Sequence, residues 1–326
     1  MIKKHLKLYH SIILILIIIL SLFIGRYKID LMELLNDGLL SRDFTIFFNI
    51  RLPRVILVVF SGGGLALAGM VFQSIFQNPL ISPDVLGVTS GCSLGAALAI
   101  IFMAANPLMI QFMAFLTGMI AVVFSVLLSK NMGGNKILGL VISGIVTQAL
   151  ASAMIMILKY FADPYKELPA IDYWLMGGFH NSNWDNIIYV IPPVIISIVI
   201  LYLLRWRLKV CTMGDVQATL LGVDIKKIRI ITILISTLLV SVVVSVAGVV
   251  SWIGILAPHI VKSYAKDDIS KNMILTVLMG GMIMLVADTA ARSLTTTEIP
   301  ISILTSLVGA PFLVYFISRR GDLNKR

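Results

Sequence analysis

The chain has 326 residues, 59% of them apolar and 13% charged, with a formal net charge of +10. Soluble domains carry about 45–50% apolar residues, so this composition excludes a soluble enzyme or binding module and fits an all-α polytopic membrane protein. In such a chain, excess Lys and Arg mark loops held on the cytoplasmic side, which removes a nucleic-acid partner as the reason for the charge. Two cysteines, Cys92 in an apolar run and Cys211 in a polar loop, imply no disulfide framework.

Lys3, Lys4 and Lys7 precede an apolar run from Ile12 to Ile24. No small-x-small cleavage site follows, so the run reads as a retained first span with a cytoplasmic start. Residues 26–50 mix polar and apolar side chains and read as an interfacial helix on the outer surface. Span 2 runs from about Pro53 to Ile75, with Gly62, Ala66 and Gly69 sharing one face. Small residues of this kind let helices approach closely in lipid, where packing rather than water exclusion holds them.

A proline-broken connector, 77–83, leads to a third span expected from Pro83 to Ala105. Ser82 is its expected N-cap, with Pro83 at the first helical position and Asp84 in the first turn. Gly87, Gly91, Gly95 and Ala99 repeat along it at four-residue spacing. Span 4 covers about 107–128, the polar loop 130–136 follows, and span 5 covers about 137–158. Residues 159–185 are polar, with Tyr173, Trp174 and Trp184 suited to a membrane interface.

Span 6 runs from about 187 to 204, and the loop 205–229 after it is the most basic stretch of the chain. A short helix from about Asp215 to Leu221, ending at Gly222, is expected within that loop. Span 7 covers about 230–249, a shorter, Gly/Pro-interrupted span 8 covers about 251–264, span 9 covers about 273–290, and span 10 runs from Pro300 to about Ser318. Ten spans put both termini on one side. Most of the 26 basic residues then face the cytoplasm if both termini do.

Chemistry of its own is sparse. There is no GxxxxGK(S/T) phosphate loop and no GxSxG elbow, and His5, His10, His180 and His259 show no metal-ligand spacing. Mid-span ionisable groups cost about 2.5–3.5 kcal/mol each, yet ion-coupled carriers keep them. Here they are essentially missing, which argues against the alternative class of a self-sufficient ion-coupled secondary transporter. Asp288 lies near the outer end of span 9 and reads as an i,i+4 partner of Arg292. His259 reads as a hydrogen-bonded structural residue, and Met154, Met156 and Met176 as packing. Arg51, Arg54 and Arg292 either anchor helix ends by snorkelling or present forks to a partner's carboxylates; position alone favours the anchor.

Several blocks in order carry a resemblance. RLPR at 51–54 is followed by Gly69, Asn78-Pro79-Leu80, Leu86-Gly87-Val88 and Ser90-Gly91. Then come Tyr173 to Phe179, Gly214-Asp215 with Ala218 and Leu221-Gly222-Val223, Gly248, Gly254 and Pro258-His259. The last block is Asp288, Arg292, Pro300, Thr305 and Gly309 to Phe312. Over almost its whole length the chain resembles the permease of a FecCD-type ABC importer, the family that moves iron-siderophores, haem and cobalamin. It departs at Ser251, Trp252, Lys262 and Ser302, where the family usually has glycine, phenylalanine, arginine and glycine.

The resemblance implies a type II ABC importer permease architecture in one transmembrane domain, 1–326, with both termini inside. It implies a homodimer, or a paralogous heterodimer, in the bacterial cytoplasmic membrane. The pathway would follow the dimer axis and be lined by spans 5 and 10. Two cytoplasmic ATPase subunits and an extracytoplasmic substrate-binding protein would be its partners, with no cofactor, metal or catalytic residue in this chain. Arg51, Arg54 and Arg292 would then receive acidic residues of the binding protein. Gly214, Asp215, Ala218, Leu221 and Gly222 would form the coupling helix within the loop 205–229. Asn135 and Lys136 would mark an inner gate. The implied cargo is an iron-siderophore, with haem or cobalamin as alternatives.

Overall fold

The computed structural model describes residues 2–30, 41–132, 136–265 and 268–323, and every regular element among them is helical. Seven helical runs are long and apolar enough to cross a membrane. Five match the expected spans closely: α1 (Ile2–Phe23), α4 (Pro107–Lys130), α5 (Lys136–Phe161), α7 (Trp184–Leu203) and α10 (Ile225–Ala247). The others are α2 (Leu52–Ile75) with the helical turns leading into it, and α12 (Ile269–Ser293). Three further helices complete ten: α3 (Val88–Phe102), α11 (Ile253–Tyr264) and α13 (Ile301–Leu323). Between them lie α6 (Glu167–Met176), α8 (Arg205–Cys211) and α9 (Asp215–Leu220).

The bundle is built on α2. Phe72, Met70, Leu67 and Leu57 are sealed from solvent, and α12, α11, α10, α7 and α1 surround the helix. Its small residues explain the crowding. A Cβ on Gly62 would lie 2.5 Å from the Gly280 carbonyl oxygen of α12, and one on Gly69 would collide with the Gly254 carbonyl of α11. The expected single face therefore serves two neighbours. Gly91 and Gly95 of α3 take the same role against Thr117 and Ala121 of α4.

Two elements differ from expectation. Residues 26–50 do not form one interfacial helix. Ser41 caps a new helical start by accepting from the Phe44 amide at 3.0 Å. An α-turn (Arg42–Phe44) and a π-helical turn (Thr45–Arg51) then run straight into α2, giving a 34-residue run from Arg42 to Ile75. Residues 31–40 lie outside the described residues.

The third span starts at Val88 rather than Pro83. Pro83–Leu86 is a 3-10 turn stopped by Gly87 in the left-handed region (φ 79°), and Ser82 makes no side-chain cap. Asp84 does the capping instead, accepting from the Thr89 amide at 3.0 Å. α11 is also a half-length helix: 12 residues rise about 18 Å, well short of a hydrocarbon core of about 30 Å. Pro83 packs on Gly254, which in turn contacts Gly69, so α11 and the turn before α3 both begin inside the bundle.

Met154 and Met156 are the last correction here. They do not pack within this chain; both are more than half exposed on α5. α5 and α13, the helices that the resemblance implies line the pathway, both carry uncovered apolar side chains, with Ile145, Leu150, Leu307 and Val308 outward.

Candidate functional site

Two ends of the bundle carry the polar groups. At one end, α1 finishes, α2 and α7 begin, α12 finishes, and the connector 294–300 leads to α13. This arginine end collects all three arginines singled out in the sequence. Each is buried, at 6% exposed for Arg51 and 7% for Arg54 and Arg292.

Arg51 donates to the carbonyls of Leu22, Phe23 and Tyr27, and Arg292 to the carbonyls of Ser21 and Ile24 and to the Ser21 hydroxyl. The last carbonyls of a helix have no intrahelical donor, and cationic side chains near a C-terminus satisfy them favourably. Arg51 and Arg292 therefore cap α1 and hold the chain that leaves it. Asp43, fully buried, completes the fixture by accepting from the Tyr27 hydroxyl and the Asp30 amide, both at 2.6 Å.

Arg54 is differently engaged. One edge of its guanidinium meets Asp288, with Nε–Oδ1 at 3.0 Å and Nη2–Oδ1 at 2.8 Å. The other edge meets Glu298, with Nη1–Oε1 at 2.9 Å and Nη2–Oε2 at 3.0 Å. Such paired, charge-assisted geometry is what a planar fork recognises. The expected i,i+4 partnership of Asp288 with Arg292 is secondary, at 3.5 Å.

The two carboxylates sit in different surroundings. Asp288 is sealed on α12, whereas the Glu298 side chain is 30% exposed on the connector. Burial works against the charge of Glu298, but hydrogen bonds from and proximity to Arg54, with Arg26 and His180 nearby, outweigh it. Its carboxyl therefore lies below the usual glutamate range. His180, on the 177–183 loop, is held below the ordinary imidazole value by burial.

At the opposite end the loop between α7 and α10 folds as two short helices. Gly214 (φ 109°) starts α9 and Gly222 (φ 74°) ends it, both in backbone conformations that suit glycine. Ala218 points inward, fully buried against Val210, Val223, Ile225 and Ile228. The outward side instead carries Val216 (71% exposed) and Leu220 (82% exposed), flanked by Met213 and Leu221. Of the residues named from sequence, Leu221 is on this surface, the glycines shape it and Ala218 anchors it. Asp215 meets Arg229 at 3.4 Å. Val216 and Leu220 were missed, although their i,i+4 spacing puts them on one side of a helix.

A polar cleft of about 510 Å³ lies beside this loop, lined by Gln73, Asn78, Lys209, Thr212, Lys262 and Asp268. Lys209 donates to Asp268 at 2.9 Å, and Ser270 donates to its other oxygen. Despite a desolvation cost, these contacts pull the Asp268 carboxyl down to about 2. Of the expected gate, Asn135 lies outside the described residues and Lys136 is exposed at the start of α5. His259, also buried, bonds through Nδ1 to the Ile255 carbonyl at 2.8 Å.

A bundle of membrane-crossing helices packed on a glycine-lined central helix, with a small apolar-faced helix held beyond one end, defines a multi-pass transport permease. The FecCD transport family matches residues 13–319, and the chain belongs to it. It is 36% identical over 327 residues to the molybdate import system permease protein MolB of Haemophilus influenzae, covering 97% of this chain and 96% of that one. It is 33% identical to a probable iron chelatin transport system permease of Helicobacter pylori, over 96% of this chain and 98% of the relative. Among solved structures it superposes on an inward-facing metal-chelate type ABC transporter with a TM-score of 0.89 and 33% identity, covering 97% and 99% of the two chains. The chain is thus an ABC transporter permease.

Proposed function

We propose that this chain is the membrane-spanning subunit of an ATP-driven importer for a metal chelate of the iron-siderophore type. It lies with both termini in the cytoplasm, so that the arginine end faces outward and the α9 end faces inward. Two copies pair through the exposed faces of α5 and α13, and the pathway runs between them. An extracytoplasmic binding protein delivers cargo to the arginine end, and a cytoplasmic ATPase seats α9.

The observation that carries this reading is α9. A six-residue helix with Val216 and Leu220 more than two-thirds exposed, anchored from beneath by Ala218, has the form of a knob awaiting a partner's pocket. Exposed apolar side chains at the end of a membrane bundle are otherwise costly to leave in water. At the arginine end, the family resemblance supports docking, while the burial of the three guanidiniums narrows it. Arg51 and Arg292 frame the surface, and Arg54 is the fork with a carboxylate on its solvent side.

One relative supports a second cargo. An oxyanion such as molybdate is supported by the 36% identity to MolB, while iron chelatin and hemin permeases are 33% and 31% identical. The test is uptake into proteoliposomes holding this chain with its ATPase and binding protein. ATP-dependent accumulation of a ferric siderophore, with molybdate excluded, supports the first reading. Accumulation of molybdate alone replaces it with the second. Uptake by this chain alone, abolished by a protonophore, contradicts both.

A further inference from the structure

The fork of Arg54 already holds two carboxylates from this chain, which leaves no donor edge for a third. Its inner partner, Asp288, is fixed on α12 and fully enclosed. Its outer partner, Glu298, stands on an irregular connector with Leu294, Thr295, Thr296 and Thr297 exposed before it. The connector is tied at its far end by Ile299 N to the Ala291 carbonyl (3.1 Å) and by Ile301 N to the Gly177 carbonyl (3.2 Å). Glu298 is three residues before α13, a helix with an uncovered apolar face at Ile303, Leu307 and Val308.

We propose that Glu298 is an exchangeable latch on the docking fork: an incoming carboxylate of the extracytoplasmic protein replaces it on the outer edge of Arg54, and its release frees the connector that positions the start of α13. This inference rests on the reading that the arginine end receives that protein. Glu298 is a positioning residue in this account.

Charge explains why the exchange needs a carboxylate. Arg51, Arg54 and Arg292, with Arg26 close to Glu298, share the site with Asp43, Asp288 and Glu298, so the cations are not outnumbered by the anions. A buried charge deprived of its partner is strongly destabilising, so Glu298 stays in place until another anion takes its position. Asp288 remains on the inner edge throughout and keeps Arg54 oriented. Arg51 and Arg292 cannot substitute as forks, because their amino groups are spent on the carbonyls around the end of α1. His180, packed against Tyr173 at 4.6 Å between ring centroids, borders Glu298 without adding a second anion.

The test uses the full chain in lipid nanodiscs, and its probe is the binding protein that supports uptake with this chain. Glu298→Gln keeps the shape and removes the competing charge, so docking should tighten about tenfold, equivalent to one decade in Kd. Unchanged or weaker docking of E298Q overturns the latch. Arg54→Lys keeps a cation beside Asp288 but loses the fork, and should weaken docking. If R54K docks like the native chain, the docking reading falls and the latch with it; weakened R54K beside unchanged E298Q removes the latch alone. Spin labels at the exposed positions Thr296 and Tyr165 give a second readout. Docking should shift their distance distribution in the native chain, and an unmoved distribution overturns the latch.

Discussion

Arg54 joins distant parts of the chain through one buried guanidinium. An arginine two residues into a span, beside a proline, looks like an outward-facing anchor or fork. The fold instead brings it against Asp288 and Glu298, 234 and 244 residues away. No local pattern encodes such a meeting, so the presence of a polar cluster was legible in the sequence and its wiring was not. Asp288→Asn should leave the Arg54 guanidinium short of a buried counter-charge and cost about 3–5 kcal/mol, read as a lower melting temperature in detergent. A melting temperature equal to that of the native chain would mean that Glu298 alone neutralises the site. Asp268 gives a pH dependence. Its carboxyl lies at about 2 in the folded chain against an ordinary value of 3.8. A depressed folded value contributes stability above the ordinary pKa and loses it as pH falls through the folded one, here from roughly pH 4 to pH 2. Lys209→Met should flatten that acid limb in a denaturation series, and an unaltered limb would place its origin elsewhere.

At the scale of the element, hydropathy was a good guide where a helix crosses the full membrane and a poor one where it begins inside the bundle. α4, α5 and α7 were found within a few residues because their apolar runs end at polar loops. α3 begins later than expected because the turn at Pro83–Gly87 is itself apolar or small, and so looks like span. The short helix α9 lies where its two flanking glycines place it, but its orientation is not readable from them. Only the fold reveals that Ala218 faces the protein and Val216 and Leu220 face away. Val216→Asp or Leu220→Asp should therefore lower coupled transport at least about tenfold, an effect of roughly 1.4 kcal/mol, with the melting temperature unchanged. Ala218→Leu should lower the melting temperature by overfilling a closed contact. The reverse pattern would assign coupling to the inner face.

At the scale of the whole molecule, the proposed function requires two separate contacts to be converted into one movement. The 34-residue run from Arg42 through α2 connects the arginine end to the polar cleft beside the α9 loop, and α12 runs alongside it. Gly62, Gly69, Gly254 and Gly280 let these helices touch backbone to backbone, which favours motion as rigid bodies over bending. Gly69→Leu should separate α2 from α11 and abolish folded expression. Gly222→Ala meets open space and should cost only about 1 kcal/mol of backbone strain.

The most direct measurement is cargo uptake by proteoliposomes containing this chain, its ATPase and its binding protein, compared with the same vesicles carrying Leu220→Asp. The account predicts ATP-dependent uptake in the first and continued ATP hydrolysis with uptake lost in the second. Full uptake by the L220D vesicles, or uptake without any ATPase present, would contradict it.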